Sequence, residues 1–298
     1  MTLGQSDNAL MKLIAISLIV FVGLGFMQAV WYVTNPKELA VVNFNKQVLA
    51  LFTMPADFER FLTRPWTLIT QMFVHISIWE VFANMLWLWC FGYIMQDLTG
   101  NKKIIPLFIY GSIAGSIAFA IVYNTMPSFH PQLLSATTMG AAAGVASVAI
   151  ATTMVSPDYR IFPMIRGGIP LWVFTVFYVL SNVFTISIND TPAIMLHLAG
   201  ALTGFLYIFF LRQGFDMGGW MNNFFEWIGN LFNPDKPKKG KAIKEELFYK
   251  TTAVPYTKKS QLTQKRVDEI LDKINQKGYD HLTEEEKELL KRASKEEL

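Results

Sequence analysis

From Ala193 to Leu211 the chain reads AIMLHLAGALTGFLYIFFL, nineteen residues without a charged side chain. A helix of that length rises about 28 Å at ~1.5 Å per residue, close to the ~30 Å hydrocarbon core of a bilayer. Five further apolar runs accompany it: Leu13–Val33, Ile78–Met95, Ile104–Tyr123, Ala136–Val155 and about Ile169–Ile188. Lipid offers no hydrogen bonds to an open backbone, so runs of this kind must close their own amide bonds as helices. A composition 52% hydrophobic and only 16% charged agrees with that reading. The sequence therefore predicts an all-α polytopic membrane protein with six spans.

Basic residues set the expected orientation. Lys12, Lys102 and Lys103, Arg160 and Arg166, and Arg212 fall on one side if six spans alternate, while the short loops 124–135 and 189–192 carry none. The positive-inside rule then places both termini in the cytoplasm, and we expect a bacterial inner membrane. The first loop is an exception, with Lys37, Lys46, Arg60 and Arg64 against three acids. It is too polar to cross and too apolar to float free, so it is expected to lie along the interface. A signal peptide is the competing reading of the first run, but no small-residue cleavage site follows it, and a retained span is expected.

Four segments are expected: a six-span membrane domain over 1–216, an interfacial amphipathic helix over 217–232, a basic linker over 233–260 and a cytoplasmic helical hairpin over 261–298. Trp220, Met221, Phe224, Phe225, Ile228 and Leu231 recur at helical spacing in the second segment. Sixteen of the 26 Lys and Arg residues follow Asn233. In the hairpin, Val267, Ile270, Leu271 and Ile274 form a stripe, Gly278 suits a C-terminal cap, and Thr283 with Glu286 has capping-box spacing. That stripe is too small for a core of its own, so a cytoplasmic partner is expected. Its charges read as a solvated face or a lipid-attracted flank, and no nucleic acid is expected. Cys90 is the single cysteine, which excludes an intramolecular disulfide. No metal-ligand spacing and no glycine-rich phosphate loop occur, so neither metal nor cofactor is expected.

Inside the sixth run sits His197, followed by Gly200 and Gly204, a small-residue face that admits a neighbouring backbone. An ionisable group within a membrane is a functional-site candidate, the alternative being a packed histidine satisfied by an adjacent helix. Counted from the non-cytoplasmic ends of their runs at ~1.5 Å per residue, His197, Ala142 and Asn84 all lie roughly 6 to 9 Å deep. Gly140 and Gly144 bracket Ala142, so the fourth and sixth helices are expected to pack small face on small face at that level.

Further pieces are Arg64-Pro65-Trp66 in the first loop, His75 with Asn84 nine residues on, Gly92, GAAAG in the fourth run and HLAGALTG in the sixth. With them the chain resembles the rhomboids, the intramembrane serine proteases, over most of residues 1–216. The resemblance implies a six-transmembrane rhomboid-like bundle with an interfacial first loop and a small cytoplasmic helical tail. It implies a serine in Gly-x-Ser-Gly on the fourth helix as nucleophile, the sixth-helix histidine as its base, and a His-x-x-x-Asn motif on the second helix that helps hold the oxyanion.

Here the motifs depart from the pattern. Ala142 stands at the nucleophile position, Glu80 at the oxyanion histidine, and only His197 and Asn84 are retained. A methyl group cannot attack a carbonyl, and an ionised carboxylate opposes a developing negative charge. Thr138, one turn before Ala142 on a continuous helix, is the only substitute hydroxyl, with Ser147 deeper and well round the helix. Glu80 and His197 are expected to approach and share a proton, because an unpaired buried charge is costly. The implied function is a pseudoprotease that binds membrane lipids and the transmembrane segments of client or partner proteins without cleaving them. The alternative is an intramembrane endopeptidase whose serine has been replaced by Ala142, and a small-solute transporter is a third reading.

Overall fold

A computed structural model of the chain describes residues 8–161, 167–185, 190–231 and 264–293. The expected linker, Arg166 and the end of the fifth run lie outside them. The chain divides into two compact units, 1–245 and 246–298.

In the first unit, α1 (Ala9–Thr34) leads into α2 (Lys37–Gln47), and the first loop continues through α3 (Phe58–Thr63) and α4 (Thr67–Thr70). There follow α5 (Ile78–Thr99), α6 (Ile104–Thr125), α7 (Ala142–Val155), α8 (Leu171–Thr185), α9 (Thr191–Arg212) and α10 (Gly219–Leu231). By length and composition α1, α5, α9 and the stretch Asn101–Thr125 can cross a bilayer, and α7 and α8 are shorter apolar helices. The result is a helical membrane bundle.

Close packing of small residues decides how the bundle is assembled. Gly200 abuts the backbone of Ala143 and Gly204 that of Ser147, so a methyl group at either position would run into a carbonyl. Both pairs advance by four residues, so α7 and α9 run parallel. On the other side of α7, Gly111 and Gly115 of α6 lie against Ser147 and Ala143, and Gly144 lies against Ser112 and Phe108. The expected pairing of Gly140 and Gly144 with α9 is therefore corrected. The α7 surface under α9 is Ala143 and Ser147, and Gly144 turns toward α6, because α7 is packed on both flanks and needs small residues on each. Gly92 admits the Leu10 side chain, which fastens α1 to α5.

The fourth helix starts at Ala142, six residues later than expected. Thr137–Thr138 instead forms a short strand antiparallel to Met54–Pro55 of the first loop. Gly140 then takes φ +104, a left-handed conformation that costs glycine little and other residues more. With 14 residues α7 is only ~21 Å long. Measured from the Gly200–Ala143 contact, α9 projects about 12 Å further than α7 toward the end carrying the first loop. The N-terminus of this short central helix therefore lies inside the bundle, under residues 137–141 and the first loop.

At the opposite end of the bundle the basic residues meet partners. Lys103 pairs with Asp216 at 2.6 Å, Lys102 with Glu226 at 3.5 Å, and Arg212 donates to the Met154 carbonyl. Asp216 also accepts from the Tyr207 hydroxyl and the Gly218 amide, so the turn leading to α10 is held by several bonds. Along α10, Trp220, Phe224, Phe225 and Trp227 are exposed while Met221 is buried.

The second unit contains α11 (Gln264–Lys277) and α12 (Glu284–Ala293), joined through Gly278 at φ +85. The capping box closes reciprocally: the Glu286 amide donates to Thr283 Oγ1, and the Thr283 amide donates to Glu286 Oε2 at 2.8 Å. Ile270 and Leu282 are buried, and Lys273 bonds Glu286 at 2.7 Å across the two helices.

Candidate functional site

The first loop is braced by the residues that the sequence singled out. Arg64 donates to the Ala50 carbonyl at 2.9 Å, Trp66 Nε1 to the Leu51 carbonyl at 2.9 Å and Thr70 to the Phe52 carbonyl at 2.9 Å. Arg64 and Trp66 thus clamp the turn that carries Met54–Pro55, and that strand clamps Thr137–Thr138. Gln71, buried, accepts from the Gly140 amide at 2.9 Å and donates to Ser116 of α6 at 2.7 Å. Residues 137–141 are fixed from three sides before α7 begins.

His75 stands at the centre of this scaffold, buried to 1% exposure. Its Nδ1 faces the Phe73 carbonyl at 3.3 Å, and since a carbonyl only accepts, that nitrogen carries the proton. Nε2 is then the acceptor for the Ala141 amide at 3.3 Å and for the Asn84 side-chain amide at 3.4 Å. Burial holds this imidazole, which lies ahead of α5, down at about 4, so it is neutral. The sequence noted His75 only for its spacing to Asn84. The structure makes it the joint between the second helix and the loop preceding α7, a role no local pattern could have shown.

Glu80 and Gly140 meet directly: a Cβ on Gly140 would lie 2.8 Å from Glu80 Oε1 and 4.0 Å from His75 Nε2. Glu80 therefore sits on the rim of the same cluster, beside Ala141 and Ala142. His197 lies three residues before Gly200 on the parallel α9, which puts it level with Gly140. Its Nδ1 bonds the Ala193 carbonyl at 2.8 Å, leaving Nε2 as the basic nitrogen. Ala142, Asn84, Glu80 and His197 are all half-buried. Asn84 and Glu80 thus reach the residues just ahead of Ala142 through His75 and Gly140, and His197 stands at that level on α9.

Two expectations fail. Among the described residues no hydrogen bond or ion pair joins Glu80 to His197; Glu80 is lodged against Gly140, and the imidazole bonds its own helix through Nδ1. Thr138 is not one helical turn before Ala142, since it belongs to the strand paired with Met54 and is itself buried. Ser147 is fully buried in the α6–α7 seam, with no bonding partner for its Oγ among the described residues.

The rhomboid domain profile matches residues 62–214, slightly more than half of the chain, and takes in α4 to α9 with Glu80, Asn84, Ala142 and His197. The chain belongs to the rhomboid family. This rhomboid is 24% identical over 206 residues to Rhomboid protein 1, mitochondrial, of Saccharomyces cerevisiae, covering 62% of the chain and 57% of that protein. It is 23% identical over 157 residues to RHOMBOID-like protein 12, mitochondrial, of Arabidopsis thaliana, covering 50% of the chain and 47% of that protein. The matched segments thus span about half the length of these relatives. A second profile, a family of unknown function (DUF6576), matches residues 255–296 of the rhomboid's second unit.

Proposed function

We propose that this rhomboid is a pseudoprotease, a membrane protein that receives transmembrane segments of client or partner proteins beside this cluster and releases them uncut. The observation that carries the reading is Ala142 at the head of α7, with His197 retained on α9 two residues above that level. His197 Nε2 has no hydroxyl to deprotonate there, and removing the nucleophile of a serine protease costs on the order of 10⁶ in turnover. The neighbouring hydroxyls do not replace it, with Thr138 in a strand and Ser147 in the core. Glu80 beside Gly140 adds a carboxylate where an oxyanion would need donors.

Lateral access fits the way α8 is held. It meets α5 through rings, with Trp87 against Phe174 and Tyr178, both at 5.2 Å between centroids, and Phe91 against Phe174 at 5.4 Å. Such a seam is apolar on both sides and can be replaced by the apolar face of a client helix. We propose the bacterial inner membrane as the compartment, with both termini cytoplasmic. The relatives are named as mitochondrial proteins and lend that compartment no support, so fractionation of the native protein decides it.

The alternative, a protease seen with its serine replaced, is separated by Ala142→Ser. The restored hydroxyl is expected to leave cleavage of a model transmembrane substrate undetectable while Glu80 is present. Cleavage by that single variant overturns the pseudoprotease reading.

A further inference from the structure

The first loop breaks the charge rule that the other loops obey, and its basic residues are not scattered. Lys46, Arg60 and Arg64 line a single cavity of about 760 Å3 between α2, α3 and the strand pair, together with Asn45, Thr53 and Ser135. No acidic residue lines it. Arg64 donates one N–H to Ala50 and Arg60 one to Leu134, which fixes both guanidinium groups; each has five N–H donors, so others remain for a ligand. Asp57 approaches Arg60 Nε at 3.9 Å, a solvent-screened contact that offsets little of the charge.

Ile76 on the cavity wall, and Leu62 and Trp66 close in sequence to the lining residues Thr63 and Arg64, expose apolar side chains. Leu62 is 75% exposed, Ile76 55% and Trp66 51%, in a loop that belongs to an integral membrane protein. Apolar side chains of this size are stable when acyl chains cover them, and the cavity then opens at headgroup level. A planar guanidinium matches a phosphate bidentately, and a lysine adds a point charge.

We propose that this cavity is a binding site for the phosphate headgroup of an anionic phospholipid, which seats the first loop against the bilayer. The occupant is a lipid, because the apolar collar has no use for a free anion.

The test uses the full chain in neutral detergent. Dihexanoyl phosphatidylglycerol, dihexanoyl phosphatidylcholine and glycerol phosphate are titrated separately, with bound molecules counted by native mass spectrometry. Phosphatidylglycerol is expected to bind best, and Lys46→Gln and Arg60→Gln to weaken it about fivefold each, the effect of ~1 kcal/mol per cation near a lipid surface. Lys46 is exposed, so its variant tests the site even if Arg60→Gln fails to fold. Lys102→Gln, at the other end of the bundle, is expected to leave binding unchanged. Equal binding of phosphatidylcholine, an unaltered affinity in Lys46→Gln, or an equal loss in Lys102→Gln overturns the proposal. Glycerol phosphate binding as tightly as the lipid shows a soluble phosphate site and overturns the lipid assignment.

Discussion

Substituting Gly204 by alanine adds one methyl group at the contact that holds α9 on α7. The methyl would meet the carbonyl oxygen, carbonyl carbon and Cα of Ser147, all backbone atoms of a buried helix that cannot swing aside like a side chain. The two helices must separate locally, and overpacking of this kind costs about 1 to 3 kcal/mol. Gly23 of α1 provides the opposite case, since a Cβ there meets nothing within 4 Å. In a helix interior alanine is favoured over glycine by about 0.5 to 1 kcal/mol, so Gly23→Ala should not destabilise. For a chain of this size 1 kcal/mol moves a melting midpoint by about 2 to 4 °C, so Gly204→Ala, net of the same helix-propensity gain, should melt up to about 10 °C below the parent. Cys90, the single cysteine and half-buried on α5, reports the transition when a fluorogenic maleimide gains access to it. A Gly204→Ala protein that melts at or above the parent would refute the close α7–α9 crossing, and with it the levelling of His197 with Gly140.

Other expectations follow from single contacts. His75 is held neutral to about pH 4 in the fold, whereas its ordinary value is 6.5. Between those limits the unfolded chain binds a proton that the folded one refuses, so stability is full above pH 6.5. It falls on acidification by at most about 1.4 kcal/mol per pH unit. Denaturant titrations followed by tryptophan fluorescence should show that slope, and His75→Gln should flatten it. Neutralising Lys103 and Asp216 separately and together should give a coupling of about 1 kcal/mol in a double-mutant cycle, reflecting a mostly buried pair at 2.6 Å. Thr283→Ala should cost α12 about 1 kcal/mol, seen as faster hydrogen exchange of the Glu285 and Glu286 amides in the full chain.

Local chemistry was legible in the sequence wherever one segment dictates its own structure. The ~20-residue apolar runs became helices because lipid leaves the backbone no alternative, and the Thr283–Glu286 box closed because both partners lie within one turn. Ala142, Glu80, Asn84 and His197 could be picked as a set because a family pattern fixes their spacing. The start of α7 could not be read this way. A strand contributed from the first loop, some eighty residues earlier, holds Thr137–Thr138 extended, and the Gln71 carbonyl and the His75 imidazole hold Gly140 and Ala141.

By itself the sequence determined that the chain is a membrane helical bundle and that Ala142 stands where the family resemblance expects a serine. The tertiary structure alone decided that His75 joins two of the site's elements, that Glu80 faces Gly140 instead of His197, and that Thr138 is withdrawn from the helix. The physical reason is the range of the interactions. Hydrophobic length and capping act within a segment, whereas the hydrogen bond of His75 with the Ala141 amide and the backbone contacts of Gly200 and Gly204 join residues more than fifty apart, whose geometry exists only once the helices have packed.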